Sequence, residues 1–433
     1  MPLKTRTYHD PLHGAITLDS ADSVESLLID LIDTSIFQRL RRIRQLGPAS
    51  LTFHGAESSR FTHSLGVMAI ARRAFDRLKG IYPELGCHRA AVLCAALLHD
   101  VGHGPFSHTA EEVFGGHHEY WTQRIIEESP EICERLEDFA PTLLSEILQI
   151  YRHEHDVPCV WQLVSSQLDC DRIDYLMRDS HFTGASYGQL DLDRIILAMD
   201  YDRQSQQLVV MQKGLGAIEH YLIVRYFMYA QIYNHPKNLV ATWILEKAIA
   251  RARELLRESA LDADETMTAW LSQSPDKLPL GTYLAQDDYV LHYHLQRWQT
   301  HSDVILSDLC QRFVNRRLPK ATDISHYNSQ DQAKILALAQ QRVQSISPIA
   351  YVGIRHIRNR GYTLYQRGIK LKMPTGLVAI SELSALVQTL IKPCHLTWLI
   401  HPKTLSLDAV FEQIREPLDA SPTVANSSLN QLV

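Results

Sequence analysis

Four stretches of the chain concentrate the residue types that metal and phosphate chemistry use: RFTHSLG from Arg60, LLHDVGHGPFSH from Leu97, HHE from His117 and DRIDYLMRD from Asp171. Histidine is abundant, with 22 in 433 residues. Imidazoles clustered with carboxylates are a donor set for a divalent cation or for phosphate. Ala90 to Leu98 is apolar on every side, which predicts a core helix. That helix delivers His99 and Asp100 into an apolar interior, where an unpaired carboxylate is costly. A cation shared by both side chains removes that cost. Gly102-His103-Gly104-Pro105 must then break the helix and bring backbone and imidazoles close to whatever His99 and Asp100 hold. His63 and Asp171 follow or sit within helical apolar patterns and are the natural third and fourth ligands, since a bundle brings separated helices together at one core site. Two imidazoles and two carboxylates suit Fe, Mn, Zn, Ni or Mg alike. Such a set leaves positions open for water and phosphate oxygens. The competing reading is a hydrogen-bonded buried polar cluster. Asp169 and Asp174 compete with Asp171, and their phase, two or three residues away, favours Asp171.

These side chains need a helical scaffold, and the sequence supplies one. Apolar residues recur at spacings of three and four from about Ser23 to about Ala260. Turn signals punctuate the pattern at Gly47-Pro48, Gly80, Gly115-Gly116, Ser129-Pro130 and Gly184. Residues 1–20 read as irregular, with a turn at Asp10–Gly14 and a short extended piece from Ala15. Asp202 to Gln206 followed by Leu208–Met211 predicts a turn and a strand, paired as a hairpin with Leu197–Tyr201. Residues 261–300 are helical. Ile349–Ile354, Tyr362–Gln366, Ile369–Lys372 and Leu396–Ile400 favour strands around one helix near 381–391. The expected fold is therefore mainly α, a helical bundle with a small C-terminal α+β lobe. The aromatic stripe from Tyr221 includes Phe227, expected in the core. In the run Arg39, Arg41, Arg42 and Arg44 a solvated helix face competes with a binding role.

Composition narrows the function. A 45% hydrophobic, 21% charged chain is an ordinary globular one. A net charge of -6 gives no positive field toward nucleic acid or an anionic membrane. No apolar run approaches the roughly 20 residues of a membrane span. Seven scattered cysteines with no CxxC pair read as reduced thiols in a cytoplasm. No signal peptide is visible at the start.

The strings QRLRRIRQLG from Gln38, RFTHSLG, HDVGHGPFSH and DRIDY occur in one order and spacing over roughly residues 5–250. They resemble the deoxynucleoside triphosphate triphosphohydrolase (dNTPase) branch of the HD-domain phosphohydrolases, which includes bacterial enzymes and animal enzymes that join a sterile alpha motif to an HD domain. The resemblance implies a fold, an HD-domain helical bundle, and an activity, cleavage of dNTP to deoxynucleoside and inorganic triphosphate by in-line attack of water on the α-phosphorus. It implies that His63, His99, Asp100 and Asp171 hold the metal and that Arg60 contacts phosphate. His103, His108, Glu111 and His118 would surround the α-phosphate, with His117 and Glu119 as alternatives in register to His118. Gln45 and Asp179 would meet the sugar 3′-hydroxyl, and Tyr175 would stack under the sugar. Asp171, Tyr175 and Asp179, at i, i+4 and i+8, share one helix face. Arg225, Tyr229 and Tyr233 share another, with Arg225 toward the γ-phosphate and Tyr233 near the base. Arg172 would add charge beside the phosphates, where some relatives use Lys, and Mg would ride on the phosphate tail. His108 and Glu111 are at i, i+3, so the carboxylate can hold an imidazolium that protonates the leaving 5′ oxygen. Glu111 stands where relatives often have Asp.

The same resemblance implies activation by dGTP or GTP at a homo-oligomer interface, in a dimer or tetramer. Asp33, Gln38 and Arg41 match the guanine-reading positions, and Arg316 and Lys320 the basic effector contacts. His9 departs from a common Asn. Four segments follow: 1–22, an effector or interface element; 23–260, the HD domain; 261–416, a helical and α+β region; 417–433, a flexible tail. The rivals are another HD-fold phosphoester hydrolase, acting on nucleoside monophosphates or cyclic nucleotides, and a nucleotide-sensing binding protein with vestigial hydrolysis.

Overall fold

The computed structural model describes residues 5–343, 347–359, 362, 368–392 and 394–415. Helices dominate, with small sheets between them and a small sheet-containing lobe. The chain divides into two compact units, Met1–Leu318 with Ile357–His395, and Pro319–His356 with Leu396–Val433.

In the first unit the helix Arg60–Ile81 packs on the helices Arg89–Leu98 and Cys170–Thr183. Every side chain from Ala91 to Leu98 is buried, as an all-apolar helix requires. Asp169 caps the helix Cys170–Thr183 by accepting the Arg172 amide at 2.7 Å, and left-handed Gly184 ends it. Gly66 sets how near this helix comes to Arg60–Ile81. A Cβ there would lie 2.0 Å from Asp174 Oδ1, so only glycine lets the Asp174 carboxylate reach past it.

Residues 5–19 form a hairpin, not the irregular lead-in the sequence suggests. Thr5–Asp10 runs antiparallel to Gly14–Asp19. The period-2 signal is hidden because TRTYHD is polar on both faces, and only Ile16 and Leu18 anchor the ribbon in the core. Asp10 Oδ1 builds the turn by accepting the amides of Leu12 and His13, each at 2.9 Å.

The expected central hairpin is present, with Met199–Asp202 antiparallel to Gln207–Met211. Lys370–Met373 adds to it in parallel, and Gly376–Ala379 follows antiparallel. Residues 370–379 therefore belong to the first unit's sheet, a correction to the expected C-terminal lobe. Strand alternation marks which residues extend but not which edge receives them.

The second unit has a three-stranded sheet in the order Lys320–Asp323, Cys394–His401, Gly353–Asn359. Its core gathers Ile324, Ile335, Ala339, Val352, Leu399, Leu407 and Val410. Ile349 lies in the short helix Pro348–Tyr351 instead of a strand, with proline favouring a helix start. Of the expected strand Tyr362–Gln366 only Tyr362 is described, and the tail 417–433 lies outside the described residues. Among the described residues no helix is long and apolar enough to cross a membrane.

Candidate active site

His63, His99, Asp100 and Asp171 converge. His63 comes from the first turn of its helix, His99 and Asp100 from the end of the all-apolar helix, and Asp171 from the start of Cys170–Thr183. His63 Nε2 lies 3.1 Å from Asp171 Oδ1, 3.3 Å from His99 Nε2 and 3.5 Å from Asp100 Oδ2. His99 Nε2 lies 3.3 Å from Asp100 Oδ1 and 3.6 Å from Asp171 Oδ1. Ligands bound at about 2.0–2.2 Å to one cation stand about 3–3.5 Å apart, and these distances fit.

The ring tautomers point the same way. His63 Nδ1 donates to Asp174 Oδ2 at 2.7 Å, and His99 Nδ1 donates to the Ala96 carbonyl at 2.9 Å. Each ring thus turns its other nitrogen toward the centre, the usual arrangement of metal-bound imidazoles. Burial works against charge on His63, but Asp171 and Asp174 outweigh it and push its pKa up to about 9. A cation entering the centre displaces that proton. Burial also opposes ionisation of Asp171, yet His63 and His99 hold it well below the usual carboxylate range. Arg60, His99 and His103 do the same for Asp100. The His63 side chain is fully buried, whereas that of Asp171 is 27% exposed, so the cage opens on the Asp171 side.

Asp174, set aside by its phase in favour of Asp171, stands behind His63 as the partner of its Nδ1. It is fully buried and also meets His13 Nε2 at 2.6 Å and Arg178 Nε at 2.8 Å. Arg178 Nη1 in turn donates to Asp10 Oδ2 at 2.8 Å. Sequence reasoning missed His13, Asp10 and Arg178. The only signal was that Asp174 and Arg178 sit one turn apart on a buried helix face.

Beside the cage lies a second cluster. Glu111 Oε1 accepts from His118 Nδ1 at 2.6 Å and from His108 Nδ1 at 3.1 Å. Burial is outweighed by His108 and His118, and the Glu111 carboxyl stays well below its ordinary range. His103 stacks on His118 at 4.0 Å, with its Nε2 3.3 Å from Asp100 Oδ1. Burial, Arg60 and His118 keep His103 neutral, well below the ordinary imidazole value. His117 is 82% exposed and its Nδ1 is 3.8 Å from Glu111, so His118 is the inner residue of the pair.

Arg60 joins these parts. It donates to Asp100 Oδ2 at 2.7 Å, to Ser107 Oγ at 2.8 Å and to the Gln45 carbonyl at 3.3 Å. Ser107 Oγ donates to the Arg44 carbonyl at 2.5 Å. The loop between Asp100 and His108 contains two adjacent non-glycine residues with positive φ, Phe106 at 58° and Ser107 at 57°. Each costs about 1–3 kcal/mol and persists only where its surroundings hold it. Gly102 permits the loop's close pass, since a Cβ there would lie 2.2 Å from the His118 carbonyl oxygen.

Along Cys170–Thr183, Tyr175 and Asp179 follow Asp171. Tyr233 donates to Asp179 Oδ2 at 2.9 Å, and Tyr233 packs edge-on against both Tyr175 and Tyr229. Asp179 Oδ1 and Gln45 Oε1 are buried acceptors with no partner among the described residues. Burial pushes Asp179 up to about 7. Arg172 binds Asp169 at 2.8 Å and Arg225 binds Gln167 Oε1 at 2.9 Å, and the Nε of each arginine is buried without a partner among the described residues. Phe227, expected in the core, is 41% exposed and stacks on Tyr187. Arg39, for which a solvated face competed with a binding role, is buried and donates to the carbonyls of His103 and Gln286.

Away from this centre, Asp33 pairs with Arg6, and Gln38 Oε1 accepts from Arg41 Nε at 2.8 Å. Arg41 lies over the Phe61 ring at 3.6 Å. Arg316 donates to the Leu51 carbonyl, and exposed Lys320 opens the second unit's sheet.

An HD domain model matches residues 60–178, and an HD associated region model matches residues 190–351. The protein YwfO of Bacillus subtilis is 37% identical over 394 residues, covering 89% of each chain. The chain belongs to the HD-domain phosphohydrolase family. Its HD-domain relatives include the chicken deoxynucleoside triphosphate triphosphohydrolase SAMHD1, 28% identical over 57% of this chain and 45% of that enzyme. The chain thus spans about half of that longer HD protein. A phosphohydrolase of Bacteroides thetaiotaomicron superimposes with a TM-score of 0.80 at 29% identity, covering 92% of this chain and all of that one.

Proposed function

We propose that the protein hydrolyses deoxynucleoside triphosphates to deoxynucleoside and inorganic triphosphate. The observation that carries this reading is the adjacency of the four-donor cage to the histidines held by Glu111. Asp100 contacts both, through His99 on one side and His103 on the other. When bound, a divalent cation in the cage supplies Lewis acidity and activates water for attack on phosphorus. His63, His99, Asp100 and Asp171 hold it, and Asp174 and the Ala96 carbonyl orient the two imidazoles. His108 and His118, their Nδ1–H groups on Glu111, keep the opposite nitrogen available as a donor to phosphate oxygens. His108 is the more exposed and is the general acid for the departing 5′ oxygen. Arg172 and Arg225 each retain an unpartnered Nε for the phosphate tail, where Mg neutralises further charge. The orphaned oxygens of Asp179 and Gln45 are acceptors for a sugar hydroxyl, and Tyr175 packs beneath the ring. Close packing there disfavours an added 2′-hydroxyl.

Two finer readings belong with this one. GTP or dGTP activates the enzyme at an interface of a dimer or tetramer, read by Asp33, Gln38 and Arg41, with Arg316 and Lys320 on its phosphates. The compartment is the cytoplasm. The test is anion-exchange analysis of products from metal-analysed protein given each dNTP alone and mixed. Inorganic triphosphate supports the reading. Monophosphate with pyrophosphate, or tight binding without turnover, replaces it with a rival. Stimulation of one dNTP's hydrolysis by added GTP, with a change in sedimentation, supports activation.

A further inference from the structure

The loop from Val101 to Ser107 carries His103, leads into His108 and includes the two positive-φ residues, so something must hold it. The contacts that do so come from far along the chain. Tyr283 Oη donates to the Gly102 carbonyl at 2.6 Å, with the Tyr283 ring stacked on Trp121 at 3.6 Å. Arg39 Nη1 donates to the His103 carbonyl at 2.9 Å, while its Nη2 and Nε reach the Gln286 carbonyl at 2.7 and 3.2 Å. Asp287 pairs with Arg42 at 2.5 Å and caps the helix Asp288–Trp298. Asp288 Oδ1 accepts the Phe106 amide at 2.6 Å, and its Oδ2 accepts the Arg44 amide at 3.0 Å.

We propose that Tyr283–Asp288 is a clamp on the catalytic loop and that Asp288 is its positioning residue. One buried carboxylate ties the amide next to strained Ser107 to the amide next to Gln45. It thereby fixes the histidines over phosphate relative to the side chain that meets the sugar. The segment lies within the HD associated region, outside the HD helices themselves. A purely structural role explains it poorly. Arg39, Asp287 and Asp288 are all buried, and apolar residues of similar size would pack there at lower cost. Arg39 and Asp288 spend their hydrogen bonds on loop and neighbouring backbone atoms rather than on each other. Phe106 and Ser107 cannot keep their conformation unaided. This inference rests on the proposed hydrolysis for its kinetic readout, but not for its structural one.

The test is Asp288→Asn in the full chain. Asparagine keeps the shape but turns an N–H toward one of the two amide N–H groups. Hydrogen exchange of a peptide spanning residues 101–108 is compared with a peptide inside Arg60–Ile81, alongside metal content and steady-state kinetics with dNTP. The expected result is loop exchange faster by about tenfold, the helix peptide and metal content unchanged, and kcat down about tenfold with KM within about twofold. Unchanged loop exchange, or faster exchange with kcat unchanged, overturns the proposal. If Asp288→Asn does not fold, Tyr283→Phe decides. It removes one hydrogen bond and keeps the stacked ring. A kcat lower by about threefold at constant KM supports the clamp, and an unchanged kcat overturns it. If the wild type releases no triphosphate, the proposed activity fails, and loop exchange alone then decides for or against the clamp.

Discussion

Two clusters lie side by side in the candidate active site, each made of imidazoles and carboxylate. In the His63 cluster the ring partners stand behind: Asp174 and the Ala96 carbonyl take the Nδ1 protons, and two Nε2 atoms face each other at 3.3 Å. Nothing but a cation or a shared proton stabilises such lone pairs. In the Glu111 cluster one carboxylate gathers the Nδ1 atoms of His108 and His118. The rings of His103 and His118 are stacked and parallel within 10°, so their in-plane lone pairs lie in separate planes. The first cluster suits a cation, and the second suits protons and anions. The outer partner of each ring, not the residue inventory, sets the difference.

The strongest way to break this comparison is His99→Ala. It should remove the metal and lower turnover by about a thousandfold or more. Triphosphate release by metal-free variant protein, checked by elemental analysis, would end the claim that the cage matters. Next, His118→Ala should lower kcat by about a hundredfold while metal content stays at the wild-type value. If metal is lost too, the two clusters are one. Asp174→Asn should weaken metal affinity by about ten- to a hundredfold, read by competition with a chelator. An unchanged affinity would mean that the partner behind His63 does not tune it.

Asp179 gives a stability test. Burial raises its pKa to about 7, above the unfolded carboxyl value. The folded state therefore binds the proton more tightly, and stability is lost as pH rises from about 4 through 7. Asp179→Asn, which keeps an acceptor for Tyr233, should raise Tm by about 2–3 °C at pH 8, with the gain shrinking toward pH 4. A constant gain across that range would contradict the shift. The smallest effect is expected from His117→Ala, which should change kcat by less than about twofold because the side chain is mostly in solvent. A large loss would put His117, not His118, at the centre.

Much of the cage was legible because a polar pair ending an all-apolar helix is a local anomaly, and His63, Asp171, Tyr175 and Asp179 keep helical phase with their surroundings. What escaped depended on long-range contacts. Asp174 looks like a spare acid until His13, from a hairpin whose first strand has no hydrophobic alternation, arrives beside it. Arg39 looks like one of four surface arginines until a segment near residue 286 covers it. Lys370–Met373 reads as a strand, but its parallel partner lies at Val210 and Met211, a pairing no local pattern encodes. Phe227 has core chemistry yet sits outside, stacked on Tyr187.

The Asp10–His13 turn, docked on Asp174, has a consequence for how the protein is made. His13 and Asp174 are separated by 161 positions in the chain. On the ribosome the hairpin emerges before Asp174, so the line of contacts from His13 through Asp174 to His63 closes only once Asp174 has been made. The four-donor cage can therefore form only once Asp171 and Asp174 have emerged, about two-fifths of the way along the chain, and a nascent chain stalled earlier has no completed cage.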